Sequence, residues 1–325
     1  MKFRLFTLHP DLFTSFTSVS LIARGIAKDV LSLDLVNWRD KFGVGKYKQV
    51  DDKPFGGGSG MVLMAEPIYQ SLAEYEAISP LYKPKAEAPA QTHEFQNFID
   101  NLPETQDVRD LMNYHKRVLP NNAKFQKLVE ESKATSSPIT KATIMMTPRG
   151  YPVTQQVCEW LATNFDELNI ICGRYEGFDS RVSELVDLEL SVGSFVTNGG
   201  EVPAMCMIEG VARLVPGFIT KTSSVTHDSF SSGLNQYIEQ SEYIIGKNNL
   251  GKSPANSSIR QISPEKPVLF NDNTWVSKYL PQLEHPQYTR PTIWQEMSIP
   301  PVLQSGNHKK IQQWRIKWHN LNNSL

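Results

Sequence analysis

Two glycine-rich turns carry the residue types best suited to chemistry. The first, Cys172-Gly173-Arg174-Tyr175-Glu176-Gly177, follows an apolar run, and the second, Val192-Gly193-Ser194-Phe195-Val196-Thr197-Asn198-Gly199-Gly200-Glu201, comes shortly after it. Glycine admits positive φ and lets backbone N–H and C=O groups approach a small molecule that a Cβ would hold off. Together the turns read as two sides of one nucleoside-sized pocket. Asn198 to Pro203 also reads as a helix start, with Pro203 suited to a first helical turn. The spacing is not the GxGxxG of a dinucleotide fold, and no acidic ribose ligand stands where that motif requires one.

Such turns must be held by strands before them and helices after them. Residues 3 to 8 read as a mostly buried strand, followed by a helix carrying Leu12, Phe13, Phe16, Leu21, Ile22 and Ile26, and a second strand at Leu31, Leu33 and Leu35. The loop Gly56-Gly57-Gly58-Ser59-Gly60 leads into an apolar segment from Met61 to Ile68. Further on, a strand is predicted at Thr143 to Met146, a turn at Thr147 to Gly150, and a helix with Val157, Trp160, Leu161 and Phe165 on one face. A strand at Asn169 to Cys172, a helix near Asp179 to Asp187, a short strand at Leu188 to Val192 and a helix from Pro203 to Val215 complete the pattern. Strands alternating with helices predict a parallel α/β sheet. Two stretches, about 78–141 and about 235–284, break this pattern with Pro-, Lys- and Ser-rich composition and read as insertions.

The 325 residues carry a formal net charge of −1, so affinity for nucleic acid must come from local basic patches. Arg39, Lys46 and Lys48 precede the glycine loop. A C-terminal stretch with helical spacing holds His308, Lys309 and Arg315, with Trp314 and Trp318 interleaved. It suits phosphate contact and base stacking, and equally a solvated amphipathic helix. No apolar run is long enough to span a bilayer and the N-terminus lacks a signal peptide's features, which predicts a soluble, cytoplasmic protein. Three cysteines, Cys158, Cys172 and Cys206, lie in apolar stretches without CxxC spacing and are expected to be reduced core thiols. No compact carboxylate or His/Cys cluster predicts a metal site.

Six ordered motifs then carry a resemblance: VDDKPFGGGSGM from Val50, ICGRYEGFDSRV from Ile171, SVGSFVTNGGEVPAM from Ser191, THDSF from Thr226, HPQYTRP from His285 and PPVLQSGNH from Pro300. The chain resembles the bacterial tRNA (guanine-N1-)-methyltransferase family of the SPOUT superfamily, which methylates guanosine 37, beside the anticodon, with S-adenosylmethionine. The resemblance implies a SPOUT-type parallel sheet with a deep C-terminal trefoil knot, a small helical C-terminal segment, and a homodimer with the tRNA site across its interface. It implies a knotted methyltransferase domain over 1–230, an inserted linker over 231–284 and a shortened helical C-terminal domain over 285–325. The preferred substrate would be tRNA with guanosine at 37 and also at 36.

By the same resemblance, cofactor contacts fall to Met146, Thr147 and Pro148, to Gly173, Tyr175, Glu176 and Gly177, and to Val192, Gly193, Phe195, Thr197, Gly199, Gly200 and Pro203. Asp228 matches the family's general base for the guanine N1 proton, and Arg213 matches a second catalytic residue that would hold O6. On residue type alone, Asp228 reads as a cap or turn residue and Arg213 as an arginine favoured at a helix C-terminus. The family's acidic residue and histidine before Val50 are replaced here by Gly45-Lys46-Tyr47-Lys48. Two other readings stay open: a catalytically weak knotted RNA-binding protein, and a knot methyltransferase with a different RNA target.

Overall fold

The computed structural model describes residues 1–80, 82, 141–219 and 285–323. Five parallel strands form its central sheet: β1 (Lys2–Thr7), β2 (Ser32–Asn37), β5 (Lys141–Pro152), β6 (Glu167–Cys172) and β7 (Leu188–Ser191), in the order β2-β1-β6-β5-β7. Their side chains alternate between two apolar layers, as expected of a sheet covered on both faces. Phe3 and Leu5 of β1 join Ile144, Met146, Leu168 and Ile170 on one face, whereas Phe6, Met145 and Ile171 point into the other.

The first face is covered by α1 (Thr14–Ser18), α2 (Ser20–Ala27), α5 (Gln155–Asn164) and α6 (Glu201–Ala212). Met207, Ile208 and Val211 of α6 pack there beside Val157 and Leu161 of α5. The second face is covered by Trp38, which opens α3 (Trp38–Phe42), by Ile68 and Leu72 of α4 (Ala65–Glu74), and by Val182 and Leu185 of a 3-10 turn, Ser180–Leu185. Two short strands, β3 (Asp51–Asp52) and β4 (Val62–Leu63), bracket the glycine loop. A small hairpin of β8 (Ile293–Trp294) and β9 (Met297–Ser298) leads to α7 (His308–Asn323), whose Ile311 and Trp314 form a satellite core with Leu303.

The parallel α/β reading holds, with local corrections. The first predicted helix is broken where Val19 is extended and Ser20 takes φ 58°. The predicted helix after Asp179 is the 3-10 turn, at whose start the Asp179 side chain accepts from Arg181 N. The predicted turn at 147–150 is a register shift within β5: Tyr151 and Pro152 pair with Leu190 and Ser191 beyond it. Both proposed insertions lie almost wholly outside the described residues.

Candidate functional site

Because β6, β5 and β7 are adjacent and parallel, the two glycine loops leave the same edge of the sheet at which β5 shifts register over 147–150. The carboxyl ends of parallel strands are where open α/β sheets bind ligands. Met146 is buried at the end of the regular β5 pairing, Thr147 is half-buried and Pro148 exposed. Gly200 N donates to Gly173 O at 2.8 Å, joining the two glycine loops. A Cβ on Gly200 would lie 2.7 Å from Gly173 N and 2.8 Å from Cys172 Cα, so only glycine permits this approach. Tyr175 and Gly177 take φ of 60° and 106°. On the second of these loops Thr197 Oγ1 donates to Gly199 O at 2.9 Å, and Phe195 folds its ring over Gly193 while staying 60 % exposed. Val192 is half-buried and Pro203 is buried within the first turn of α6.

A charged brace ties these loops together. Glu201, 1 % exposed at the start of α6, accepts from Thr7 Oγ1 at 2.7 Å and pairs with Arg174 at 2.8 Å. Arg174 Nη1 also donates to Asn198 O at 3.2 Å. Neither Arg174 nor Glu201 was singled out from sequence as a structural pair; the signal available was an arginine and a glutamate each flanking a glycine turn. Arg39, expected to meet RNA, donates from Nη2 to Tyr175 Oη at 2.6 Å and so borders the first glycine turn. Glu176 is exposed, with its side chain laid over Gly60.

A second group went unread in the sequence although both of its motifs were visible. Asp179, fully buried, accepts from Arg181 Nε at 2.9 Å and Nη2 at 2.8 Å, and from Thr289 N at 2.7 Å and Oγ1 at 2.8 Å. Arg181 in turn donates to the carbonyls of Thr289 and Pro291 at 2.7 and 2.9 Å. FDSRV and HPQYTRP are thus two halves of one junction. Beside it, Asp52 accepts from Arg290 Nε at 2.7 Å, and that contact holds the Asp52 carboxyl below its usual value. Burial pushes the Tyr288 phenol above its ordinary range.

The remaining expectations are distributed unevenly. Lys46 and Lys48 are exposed on a small hairpin bridged by Val44 and Gln49, where Tyr47 is 88 % exposed and Lys48 lies 3.6 Å from Asp40. His308 and Lys309 are exposed at the start of α7. Arg315 instead turns inward to the glycine loop, donating to Gly56 O at 3.2 Å and to Gly57 O. Trp314 is 3 % exposed and belongs to the satellite core, so its ring is not offered for stacking. Cys158 and Cys172 are buried free thiols, with burial pushing Cys158 up to about 12 and Cys172 well above its ordinary value, but Cys206 is exposed, against expectation.

Arg213 caps the C-terminal end of α6. That helix spans 12 residues, about 18 Å at 1.5 Å each, and runs back from the loops toward the opposite edge of the sheet. Phe218, just beyond Arg213, packs on Gly25 and shares a core with Leu31, ahead of β2. Within one chain, therefore, Arg213 stands at the far end of α6 from the glycine loops. Asp228 lies outside the described residues. Among the described residues no group of three or more His, Cys, Asp or Glu is placed to hold a metal ion, and no helix is long and apolar enough to cross a membrane.

The family model described as tRNA (Guanine-1)-methyltransferase TrmD matches residues 1–108, 91–253 and 267–324. The tRNA (guanine-N(1)-)-methyltransferase of Nostoc punctiforme is 31 % identical over 317 residues, covering 98 % of this chain and 87 % of the relative. The proteins of that name from Synechocystis sp. and Latilactobacillus sakei are each 31 % identical over 317 residues, with 98 % of this chain covered and 90 % and 85 % of theirs.

Proposed function

From the premise that this chain belongs to the tRNA (guanine-1)-methyltransferase family, we propose that it methylates N1 of guanosine 37 in tRNA, with guanosine 36 preferred alongside. The observation that carries the reading is the convergence, on one sheet edge, of the register shift of β5 at 147–150 and two glycine loops, the loops joined through Gly200 and Gly173. The glycine cradle and the exposed Glu176 fit a nucleoside carrying positive charge. Met146, Thr147 and Pro148, Gly173 to Gly177, Val192 to Gly200 and Pro203 would hold S-adenosylmethionine. When bound, that cofactor supplies an electrophilic methyl on its sulfonium.

The protein's own task is to make guanine N1 nucleophilic and to exclude water. Asp228 takes the N1 proton as general base, and contact with the purine raises its proton affinity for that task. Arg213 donates to O6, where negative charge grows as N1 is deprotonated. About 18 Å of helix separates Arg213 from the loops of its own chain. A homodimer resolves the separation, one protomer's Arg213 facing its partner's loops; a trefoil knot completes this reading. Lys46, Lys48, His308 and Lys309 are solvent-facing cations suited to tRNA phosphates. The enzyme would act in the cytoplasm, with the domain limits 1–230, 231–284 and 285–325.

The test is methyl transfer from labelled S-adenosylmethionine to unmodified tRNA with guanosines at 36 and 37. Transfer is expected with wild type, and is expected to be lost with Asp228→Ala or when guanosine 37 is replaced. Cofactor binding without transfer would instead favour a knotted RNA-binding protein. Transfer that ignores position 37 would favour another RNA target.

A further inference from the structure

The Gly56–Gly60 loop has two neighbours that are distant in sequence. At one end, Arg315 of α7 donates from Nη2 to the carbonyls of Gly56 and Gly57. A Cβ on Gly56 would lie 2.9 Å from Leu303 Cδ2 and 3.3 Å from Ile311 Cγ2, so the loop backbone rests directly on the α7 satellite core. Phe55 N donates to Tyr288 O at 2.8 Å and fastens the entry to the loop.

At the other end, Gly60 lies under the Glu176 side chain. A Cβ there would collide with Glu176 Cγ and Oε1. The two chains run on together: Glu176 N donates to Met61 O at 3.0 Å, Leu63 N to Gly177 O at 2.9 Å, and Asp179 N to Leu63 O at 2.8 Å. Gly56, Gly57, Gly58 and Gly60 take φ of 80°, 73°, 144° and 75°. Such a loop does not hold its own shape, since glycine populates many conformations at little cost. Its shape is imposed by what grips it, and the charged grip comes from Arg315.

We propose that Arg315 is a positioning residue for Glu176, acting through the glycine loop, so that docking of α7 and affinity for the cofactor are linked. This rests on the cofactor reading of Glu176 given above. The guanidinium satisfies two adjacent loop carbonyls, which fixes the Gly56–Gly57 peptides. The fixed loop carries Gly60 to the place where Glu176 packs, and Glu176 then presents its carboxylate toward the positive charge of S-adenosylmethionine. Linkage requires the reverse as well: cofactor binding stabilises the docked α7. The exposed His308 and Lys309 lie on that same helix, so RNA bound by them would be felt at Glu176.

The experiment titrates S-adenosylmethionine into the full chain without RNA, by calorimetry, for wild type, Arg315→Ala, Arg315→Lys and Gly60→Ala, with melting temperatures recorded for each. Arg315→Ala is expected to weaken cofactor binding about tenfold, within the usual range of coupling between sites. Lys, which also donates to carbonyls, should restore most of the loss. Gly60→Ala should weaken binding at least as much, and the double variant should lose less than the product of the two, as expected of residues acting through one element. If the variants bind the cofactor as wild type does, the inference is overturned. It is equally overturned if, in a separate tRNA titration at several salt concentrations, Arg315→Ala changes only tRNA affinity and its salt slope, by about one, which assigns the residue to phosphate. A folded wild type that binds no S-adenosylmethionine overturns the cofactor reading itself, and the inference with it.

Discussion

Two carboxylate–arginine junctions hold residues 285–291 against the sheet, and they differ in where they sit. At Asp179 the carboxylate is fully buried and Arg181 is 4 % exposed, with Thr289 completing the ring of donors. At Asp52 the carboxylate is only slightly accessible, but the Arg290 side chain is 70 % exposed. The same chemistry therefore meets two dielectrics. In water an ion pair gains little over its solvated partners, whereas a buried pair deprived of one member leaves a charge with no compensation. The inner junction is therefore expected to contribute more to docking of the C-terminal segment than the outer one.

Removing the inner carboxylate should have the largest effect. Asp179→Ala leaves Arg181 buried without its counter-charge and is expected to cost about 3–5 kcal/mol in urea unfolding. A loss as small as that of a surface variant would end the distinction between the junctions. Thr289→Val removes one donor and keeps the ion pair, and should cost about 0.5–1.5 kcal/mol by the same measurement. Arg290→Ala should shift the melting temperature by a small fraction of the Asp179→Ala shift, and high salt should shrink it further.

The finest separation is by pH. Arg290 holds the Asp52 carboxyl below its ordinary 3.8 in the folded state. A depressed folded value contributes stability that is fully present above the unfolded value and is lost as pH falls through the folded one. The stability difference between wild type and Asp52→Asn should thus be flat near neutrality and shrink progressively as the pH falls below about 4. A difference that grows on acidification would contradict the assignment.

How much of this was legible beforehand depended on the kind of contact. Alternation of Phe3, Leu5 and Phe6 and the apolar run ending at Cys172 announced buried strands, and the structure has them in one parallel sheet. The glycine turns were also legible, because close backbone approach leaves glycine as its residue. Partner choice was not: nothing in the pattern says that Asp179 meets Thr289, 110 residues on, or that Arg315 faces Gly56 rather than solvent. A cation's target is set by tertiary position, which spacing does not encode. The position of Arg213 relative to the loops is hidden from the sequence for a related reason. Its motif was clear, but the length of α6 carries it away from the loops.

We propose that residues 147–150 of β5 and the two glycine loops form one cofactor site whose geometry depends on the Gly200–Gly173 contact. Calorimetric titration of S-adenosylmethionine into wild type, Arg290→Ala and Gly200→Ala, each below its melting temperature, tests it most directly. Equal affinity is expected for wild type and Arg290→Ala, with loss of binding in folded Gly200→Ala, whose Cβ would stand 2.7 Å from Gly173 N. Undiminished binding by Gly200→Ala, or none by the folded wild type, would contradict it.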